Sequence, residues 1–428
     1  MRRALPLLVL AAAGLSPGAR AALPTPVPEV LEDGSEVVAV PLPAANWSSL
    51  RLVVRAGGAQ DPESKSGLAR LLGRTIVDGV VDERGTRLEE MVRRSGGRLT
   101  FRSTPTSTIY VLDAPSTKLQ QLAGAVIANV TNPRLSRVDL PREVSFLNTE
   151  PLEPRGADMP WARLERLLFP PTDPNSPLDG TPSSREKIEL DDLVAFYGKN
   201  YITTAVTAVF AGAISSEQAV ALLDHNMRLP PALPEDRPAV PKLDPPNLPI
   251  SEKQHGPVHF AAIGYRLDRG RRQLCDAFAR IASGRMAVAV GRSRKAPWLE
   301  VQCLSLRGHD FLVASSPARA PDGYAFPDAV ESAFKAAAKS PPKPREWSRI
   351  QEGAEHALEL LAEDPASLAD ALASAASAAR PPGSTARTEV SAVFFRPSLS
   401  WAQVKDLAKR SFREDRMFQM YLSPSPSQ

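Results

Sequence analysis

Cysteine and histidine are scarce in this chain of 428 residues, which has two of the first and five of the second. Two cysteines cannot build the disulfide framework of a small secreted domain, and they lack the paired spacing of a cysteine zinc site. A glycine-rich phosphate loop and the nucleophile elbow of serine hydrolases are also missing. These absences exclude phosphate-loop nucleotide binding, cysteine-based zinc sites and serine chemistry of the elbow type.

The histidines show no metal-binding spacing. They are His225, His255, His259, His309 and His356. His255 and His259 are four residues apart, as in a helical zinc pair, but Gly256-Pro257 lies between them and would break the helix. We interpret all five histidines as structural.

Long apolar runs are missing beyond the first residues. Ala4 to Leu15 is apolar, but this run is too short to span a bilayer. Arg2 and Arg3 precede it, and Ala19-Arg20-Ala21 fits a signal-peptidase site. We therefore expect a signal peptide over residues 1–21 and a periplasmic or secreted mature protein without membrane insertion.

The net charge is small once that segment is removed. The whole chain carries +4, and the loss of Arg2, Arg3 and Arg20 leaves +1 (4 − 3). Nucleic-acid-binding proteins present strongly basic surfaces. The nearly neutral mature chain therefore argues against a nucleic-acid partner.

Proline is abundant, and it marks a boundary. The chain has 42 prolines, and eight of them fall between Leu229 and Pro249. Such a stretch cannot form a regular helix or a central strand, which favours a semi-rigid connector. We predict an N-terminal domain over 22–228, a linker over 229–250 and a C-terminal domain over 251–428.

Hydrophobic periodicity predicts an α+β arrangement on both sides of that connector. In the first half we predict strands over 34–40, 49–56, 98–103, 107–113 and 205–211, and helices over 86–95, 119–130, 137–150, 161–168, 190–201, 215–226 and from about 66. In the second half we predict strands over 258–265, 299–306, 310–315 and 416–422, and helices over 271–281, 325–338, 344–361, 367–378 and 402–411.

The two cysteines, Cys275 and Cys303, both lie in the second half. They could pair in an oxidising compartment, or they could be two small buried hydrophobic side chains. We favour the second interpretation.

The segment Ser66 to Thr75 (S-G-L-A-R-L-L-G-R-T) resembles the metal-binding helix of the pitrilysin-like metallopeptidases, the family of mitochondrial processing peptidase and insulin-degrading enzyme. That helix normally reads G-L-A-H-x-x-E-H. Arg70 replaces the first histidine, Gly73 replaces the general base, and Arg74 replaces the second histidine.

Other stretches resemble the family in the same order along the chain. They are residues 30–37, 55–61, 95–97 with Thr108 and Tyr110, 142–150, 179–181 and 191–201. Thr100-Phe101 stands where Asn-Ala is common in the family. Glu150 follows Arg74 by 76 residues and matches the third-ligand position.

The resemblance implies two homologous α/β-sandwich domains, each a mostly antiparallel sheet packed with helices, joined by the proline-rich linker. It also implies a lost metal site. Zinc needs imidazole, thiolate or carboxylate donors, and a guanidinium has no lone pair to give. We therefore expect no metal, no cofactor and no peptidase activity. For Glu150 we favour an ion pair with the arginines over a pocket for a peptide carboxylate.

The resemblance also suggests where a peptide would bind. The family uses an Arg and a Tyr seven residues apart in its C-terminal half; Arg292 can take the Arg place, but Leu299 stands at the Tyr place. A peptide would add to a sheet edge along 98–103. Our peptide-contact candidates are Arg98, Thr100, Arg102 and Arg292, although Arg292 fits a solvated basic turn better.

Two functions are compatible with this sequence. The chain is a non-catalytic subunit that forms a peptide chamber with an active zinc-peptidase homologue, or it is a stand-alone peptide-binding scaffold, as a homodimer, in the cell envelope. Weak residual hydrolysis by other groups is a third possibility, but no alternative nucleophile and base are visible.

Overall fold

Two β-sheets organise the chain. The computed structural model describes residues 25–62, 64–149, 163–164, 167–168, 180–230, 250–256, 259–268, 272–291, 299–306, 309–317, 326–377 and 400–424. The predicted signal peptide, Glu150, Arg292 and most of the predicted linker lie outside these residues. No helix among the described residues is long and apolar enough to cross a membrane.

The first sheet has six strands: β1 Val27–Val30, β2 Glu36–Pro41, β3 Trp47–Val54, β4 Arg98–Ser103, β5 Thr108–Pro115 and β6 Val206–Gly212. Their order is β1-β2-β6-β3-β5-β4. All neighbours are antiparallel except β2 and β6. Strand β4 therefore forms one edge, as predicted for 98–103.

The second sheet has five strands: β7 Ile250–Gly256, β8 Phe260–Arg266, β9 Glu300–Leu306, β10 His309–Pro317 and β11 Met417–Pro424. Their order is β7-β11-β8-β10-β9, and only β7 and β11 are parallel. Two mostly antiparallel sheets confirm the predicted fold class. Strands β1 and β7 were not predicted.

Helices cover both sheets. They are α1 Leu68–Val77, α2 Leu88–Arg94, α3 Leu119–Thr131, α4 Leu140–Thr149, α5 Pro182–Arg185, α6 Leu190–Asn200, α7 Ser216–Asn226, α8 Arg272–Gly291, α9 Phe326–Lys339, α10 Pro344–Glu363, α11 Pro365–Ser377 and α12 Trp401–Ser411. Helices α1 to α4, α6 and α7 bury their apolar sides on one face of the first sheet. Helices α8, α9 and α12 do the same on the second sheet.

The opposite face of each sheet is covered by side chains from the other half of the chain. Leu368, Leu372 and Ala376 of α11 pack on the free face of the first sheet. Leu164 and Leu168 of the first half pack on the second sheet. Each sheet is therefore sealed by residues from the other half of the chain.

Cys275 and Cys303 form a disulfide that joins α8 to β9, with Cα atoms 6.1 Å apart. Both residues are buried. Our preference for two separate thiols is therefore wrong, because the helix packs its Cys275 side directly on the strand.

Candidate functional site

Helix α1, which carries the three replaced positions, is fixed at its start by a carboxylate. Asp61 accepts hydrogen bonds from the backbone N–H groups of Gly67, Leu68 and Ala69 at 2.7, 3.0 and 2.9 Å. These amides have no partner within the helix, so the carboxylate completes its first turn. Gly67 has φ 90°, a left-handed conformation that favours glycine. The chain therefore turns sharply into α1.

Gly73 faces strands β4 and β5, and its missing side chain is replaced by an aromatic ring. A Cβ atom at this position would lie 2.7 Å from Cδ2 and 2.9 Å from Cε2 of Phe101, and 3.3 Å from Cγ2 of Thr108. Real Cβ atoms do not approach a ring so closely. The volume in which a general-base side chain would begin is thus occupied by Phe101.

Arg74 points to the other side of α1, where three carboxylates surround it. Its Nε donates to Oε2 of Glu143 at 2.8 Å, and its Nη1 donates to Oε2 of Glu89 at 2.9 Å. Its Nη2 lies 3.8 Å from Oδ1 of Asp78. The Glu143 side chain is only 1% exposed, so this is a buried ion pair between α1 and α4.

Two further arginines extend these contacts. Arg87 contacts Asp78 and Asp139, each at 2.8 Å. Arg142 contacts Asp78, Glu143 and Asp139. We refer to the resulting set as the charged cluster, which consists of Arg74, Asp78, Arg87, Glu89, Asp139, Arg142 and Glu143.

Burial and neighbouring carboxylates perturb one acid in the charged cluster. Burial raises the pKa of Asp78 to about 6, and a hydrogen bond to Glu143 and repulsion by it act in the same direction. Arg142 and Arg87 oppose the rise. The pKa of Arg74 is also raised, because attraction to Glu143 and Glu89 outweighs burial, its largest single influence. The guanidinium therefore stays charged.

An aromatic ring completes the surroundings of Arg74. Its Cζ lies 3.9 Å from the ring centroid of Phe146, a cation–π contact. The Phe146 residue is 42% exposed. The ring of Phe146 therefore adds an attractive contact to the ion pairs of Arg74.

The expected arginine–glutamate pair exists, but its described partner is Glu143. Glu150, for which we predicted the contact, lies outside the described residues. The two glutamates are seven residues apart, so on a helix they would fall on the same side. The contact between Arg74 and Glu150 therefore stays a prediction, and Glu143 is the buried acid that contacts Arg74 within the described residues.

Zinc does not fit the residues present at the three replaced positions. Arg70 and Arg74 supply no lone pair, and Gly73 supplies no donor. The donors nearest to Arg74 are already bound by guanidinium groups. Within the described ranges, no three His, Cys, Asp or Glu side chains are arranged to hold a metal ion.

The peptide-contact candidates on β4 lie away from α1. Side chains alternate along a strand, and Phe101 points to α1. Arg98, Thr100 and Arg102 therefore share the opposite face, on which Arg102 pairs with Asp370 of α11. Arg98 is exposed. Arg292 lies outside the described residues.

Sequence reasoning missed Phe101 and Glu143 as members of this site. A signal was available for Phe101, since positions 73 and 101 both depart from the family pattern and their volumes change in opposite directions. Glu143 lies in the stretch 142–150 that resembles the family, but nothing in that stretch marked it as a partner of Arg74.

Residues 36–156 match the family model of insulinase, peptidase family M16. The fold is similar to that of a protease from Helicobacter pylori (TM-score 0.74, 15% identity, covering 94% of this chain and 100% of that chain). It is also similar to an inactive M16 peptidase domain from Pseudomonas fluorescens (0.73, 18%, 94% and 99%) and to the first half of the periplasmic protease PqqL from Escherichia coli (0.73, 14%, 94% and 92%). No curated protein matches the sequence.

Proposed function

We propose that this chain, whose residues 36–156 match the family model of insulinase, peptidase family M16, is the non-catalytic subunit of an exported heterodimeric metallopeptidase. Its role is to close a peptide chamber and to stabilise an active homologue that carries the intact zinc motif. The two domains, 22–228 and 251–428, would supply its wall of that chamber.

The observation that carries this proposal is the repacking around α1. Phe101 fills the space at position 73, and Arg74 is tied to a buried carboxylate. A peptidase that had merely lost a ligand would retain a cavity with unpaired acids. The filled space and the ion pairs support the proposal that the fold of this chain serves a purpose other than hydrolysis.

A peptide-binding edge supports the chamber role. Strand β4 lies at the edge of the first sheet, where, among the described strands, it pairs only with β5. An extended peptide can add to such an edge through main-chain hydrogen bonds. Phe101 would then contact the peptide side chains that point to α1, and Arg98 those that point to α11.

Two observations support export. The Cys275–Cys303 disulfide suits an oxidising compartment. One structural neighbour, PqqL, is described as periplasmic. Mass spectrometry of the protein from its host should show a mature chain that begins at Ala22, after cleavage of the predicted signal peptide.

The second candidate is a stand-alone peptide-binding scaffold in the cell envelope, as a homodimer. The structural likeness to an inactive M16 domain from Pseudomonas fluorescens is compatible with either role. What separates them is the partner.

Purification of the tagged chain from its own host, with native mass spectrometry, metal analysis and a peptidase assay, tests both. We expect an equimolar complex with a zinc-bearing homologue, active only when both chains are present. The control replaces the general-base glutamate of the partner with glutamine, which should keep the complex and abolish the activity. A metal-free homodimer would favour the scaffold, and stoichiometric zinc on this chain alone would contradict both.

A further inference from the structure

Two carboxyl groups in the charged cluster are held against the same guanidinium nitrogen. Nη2 of Arg142 contacts Oδ2 of Asp78 and Oε1 of Glu143. On the other side, Arg74 contacts Oε2 of Glu143 at 2.8 Å and lies 3.8 Å from Oδ1 of Asp78. The two acids are therefore bracketed by the same two arginines.

The pair is well shielded from water. The Glu143 side chain is 1% exposed and that of Asp78 is 12% exposed. Two carboxylates that share a buried site repel each other, so the first proton that they take up is bound more tightly than by either acid alone.

The charges that face Asp78 come from every element packed around it. Arg74 lies on α1, Arg87 precedes α2, and Asp139, Arg142 and Glu143 belong to α4 or the turn before it. Glu89 of α2 acts through Arg74. The seven side chains of the charged cluster carry three positive and four negative charges, which leaves one negative charge in excess.

We propose that Asp78 and Glu143 form a proton-binding site that acts as a pH-sensitive lock between α1 and α4. A proton from solvent binds one carboxyl oxygen and is donated in a hydrogen bond to the other acid. It neutralises the excess charge and holds the two helices together more tightly. The inference does not depend on the proposed partner or on peptide binding.

The direction of the effect on stability follows from the two pKa values of Asp78. An aspartate in the unfolded chain titrates near 4, whereas burial and Glu143 raise the pKa of Asp78 to about 6 in the folded chain. The folded state then binds more protons between these values. Its extra stability is complete below about pH 4 and is lost as the pH rises through about 6.

The test is urea unfolding of the full chain between pH 5 and 8, for the wild type, Asp78→Asn and Asp139→Asn. From pH 5 to 7 the folding equilibrium constant of the wild type should fall by about tenfold relative to that of Asp78→Asn. Asp139→Asn is the matched control, because it removes a charge from the same cluster without touching the carboxyl pair. It should keep the wild-type pH dependence.

A direct measurement covers the case in which Asp78→Asn does not fold. The ¹³C shift of the Asp78 carboxyl, assigned through its backbone resonances in the wild-type chain, should titrate with a midpoint near 6. A midpoint near 4, or parallel stability profiles of the wild type and Asp78→Asn, would overturn the proposal.

Discussion

Positions 73 and 74 are neighbours on α1, yet their expected residues are replaced in opposite ways. At position 73 a side chain is absent, and the ring of Phe101 fills the space on the side of the sheet. At position 74 a cation is present, and carboxylates surround it on the side of α4. One helix thus combines an apolar replacement on one side with an ionic replacement on the other, and the two should respond differently to substitution.

Reversing both replacements at once should have the largest effect. We expect the variant Arg70→His, Gly73→Glu, Arg74→His, Phe101→Ala to gain stoichiometric zinc, because two imidazoles and the aligned Glu150 would supply three protein ligands. The same variant with Phe101 retained should bind zinc roughly tenfold more weakly, since overpacking by the new glutamate costs about 1–3 kcal/mol. Titration calorimetry with zinc alone measures both.

A fifth substitution, Glu150→Gln, is the control for the ligand assignment and should abolish zinc binding. If the folded four-substitution variant takes up no zinc, the alignment of Glu150 with the third-ligand position is wrong.

Breaking the ionic replacement alone should have the next largest effect. Arg74→Met removes a cation from a buried carboxylate, which typically costs about 3–5 kcal/mol. The loss should fall toward the lower value, because Arg142 still contacts Glu143. Denaturant unfolding at pH 7 measures the change.

Two controls sharpen that result. Arg74→Met with Glu143→Leu should recover at least half of the loss, since an apolar pair of similar volume leaves no buried charge. Reduction of the disulfide, which joins α8 to β9 of the second sheet across a sequence separation of 28 residues, should destabilise the protein by about 3–4 kcal/mol. The losses of stability from disulfide reduction and from Arg74→Met should be additive. A departure from additivity would show that the charged cluster and the second sheet are energetically coupled.

A substitution at position 73, the apolar replacement, should have the smallest effect on stability, and the sign of that effect should depend on Phe101. Gly73→Ala places a Cβ against the ring of Phe101 and should destabilise by about 1–3 kcal/mol. In a Phe101→Ala background the same change should stabilise by up to about 1 kcal/mol, because alanine favours a helix more than glycine does. Thermal unfolding of the wild type, Gly73→Ala, Phe101→Ala and the double variant completes this double-mutant cycle. Destabilisation by Gly73→Ala in both backgrounds would show that the ring is not what fills the position.

A strand could be predicted from the sequence where apolar and polar residues alternate along it. The residues of β4 were predicted with the bounds that the structure gives, 98–103, because a double glycine and a turn delimit them. Strand β1 was missed because it is a short edge strand of four residues, and strand β7 (I-S-E-K-Q-H-G) was missed because it is an edge strand of mostly polar residues. Pairing with β2 and with the distant β11 makes them strands, and a local pattern does not report that pairing.

Sequence reasoning identified the positions at which α1 departs from the family pattern, but not the side chains that contact those positions. The replaced ligands can be read from the order of residues on one helix, whereas their replacements come from elsewhere in the chain. Phe101 lies 28 residues from Gly73, and Glu143 lies 69 residues from Arg74. The packing of the folded chain determines which distant side chain fills the space at position 73 and which acid pairs with Arg74.

The packing of each half of the chain on the sheet of the other half has a consequence for how the protein unfolds. Each half leaves one sheet face bare unless the other half is present, since α11 covers the first sheet and Leu164 and Leu168 cover the second. The two halves should therefore unfold in one cooperative transition. A protein cut within 231–249 would behave as a complex of two complementary fragments, neither of which stays soluble without the other.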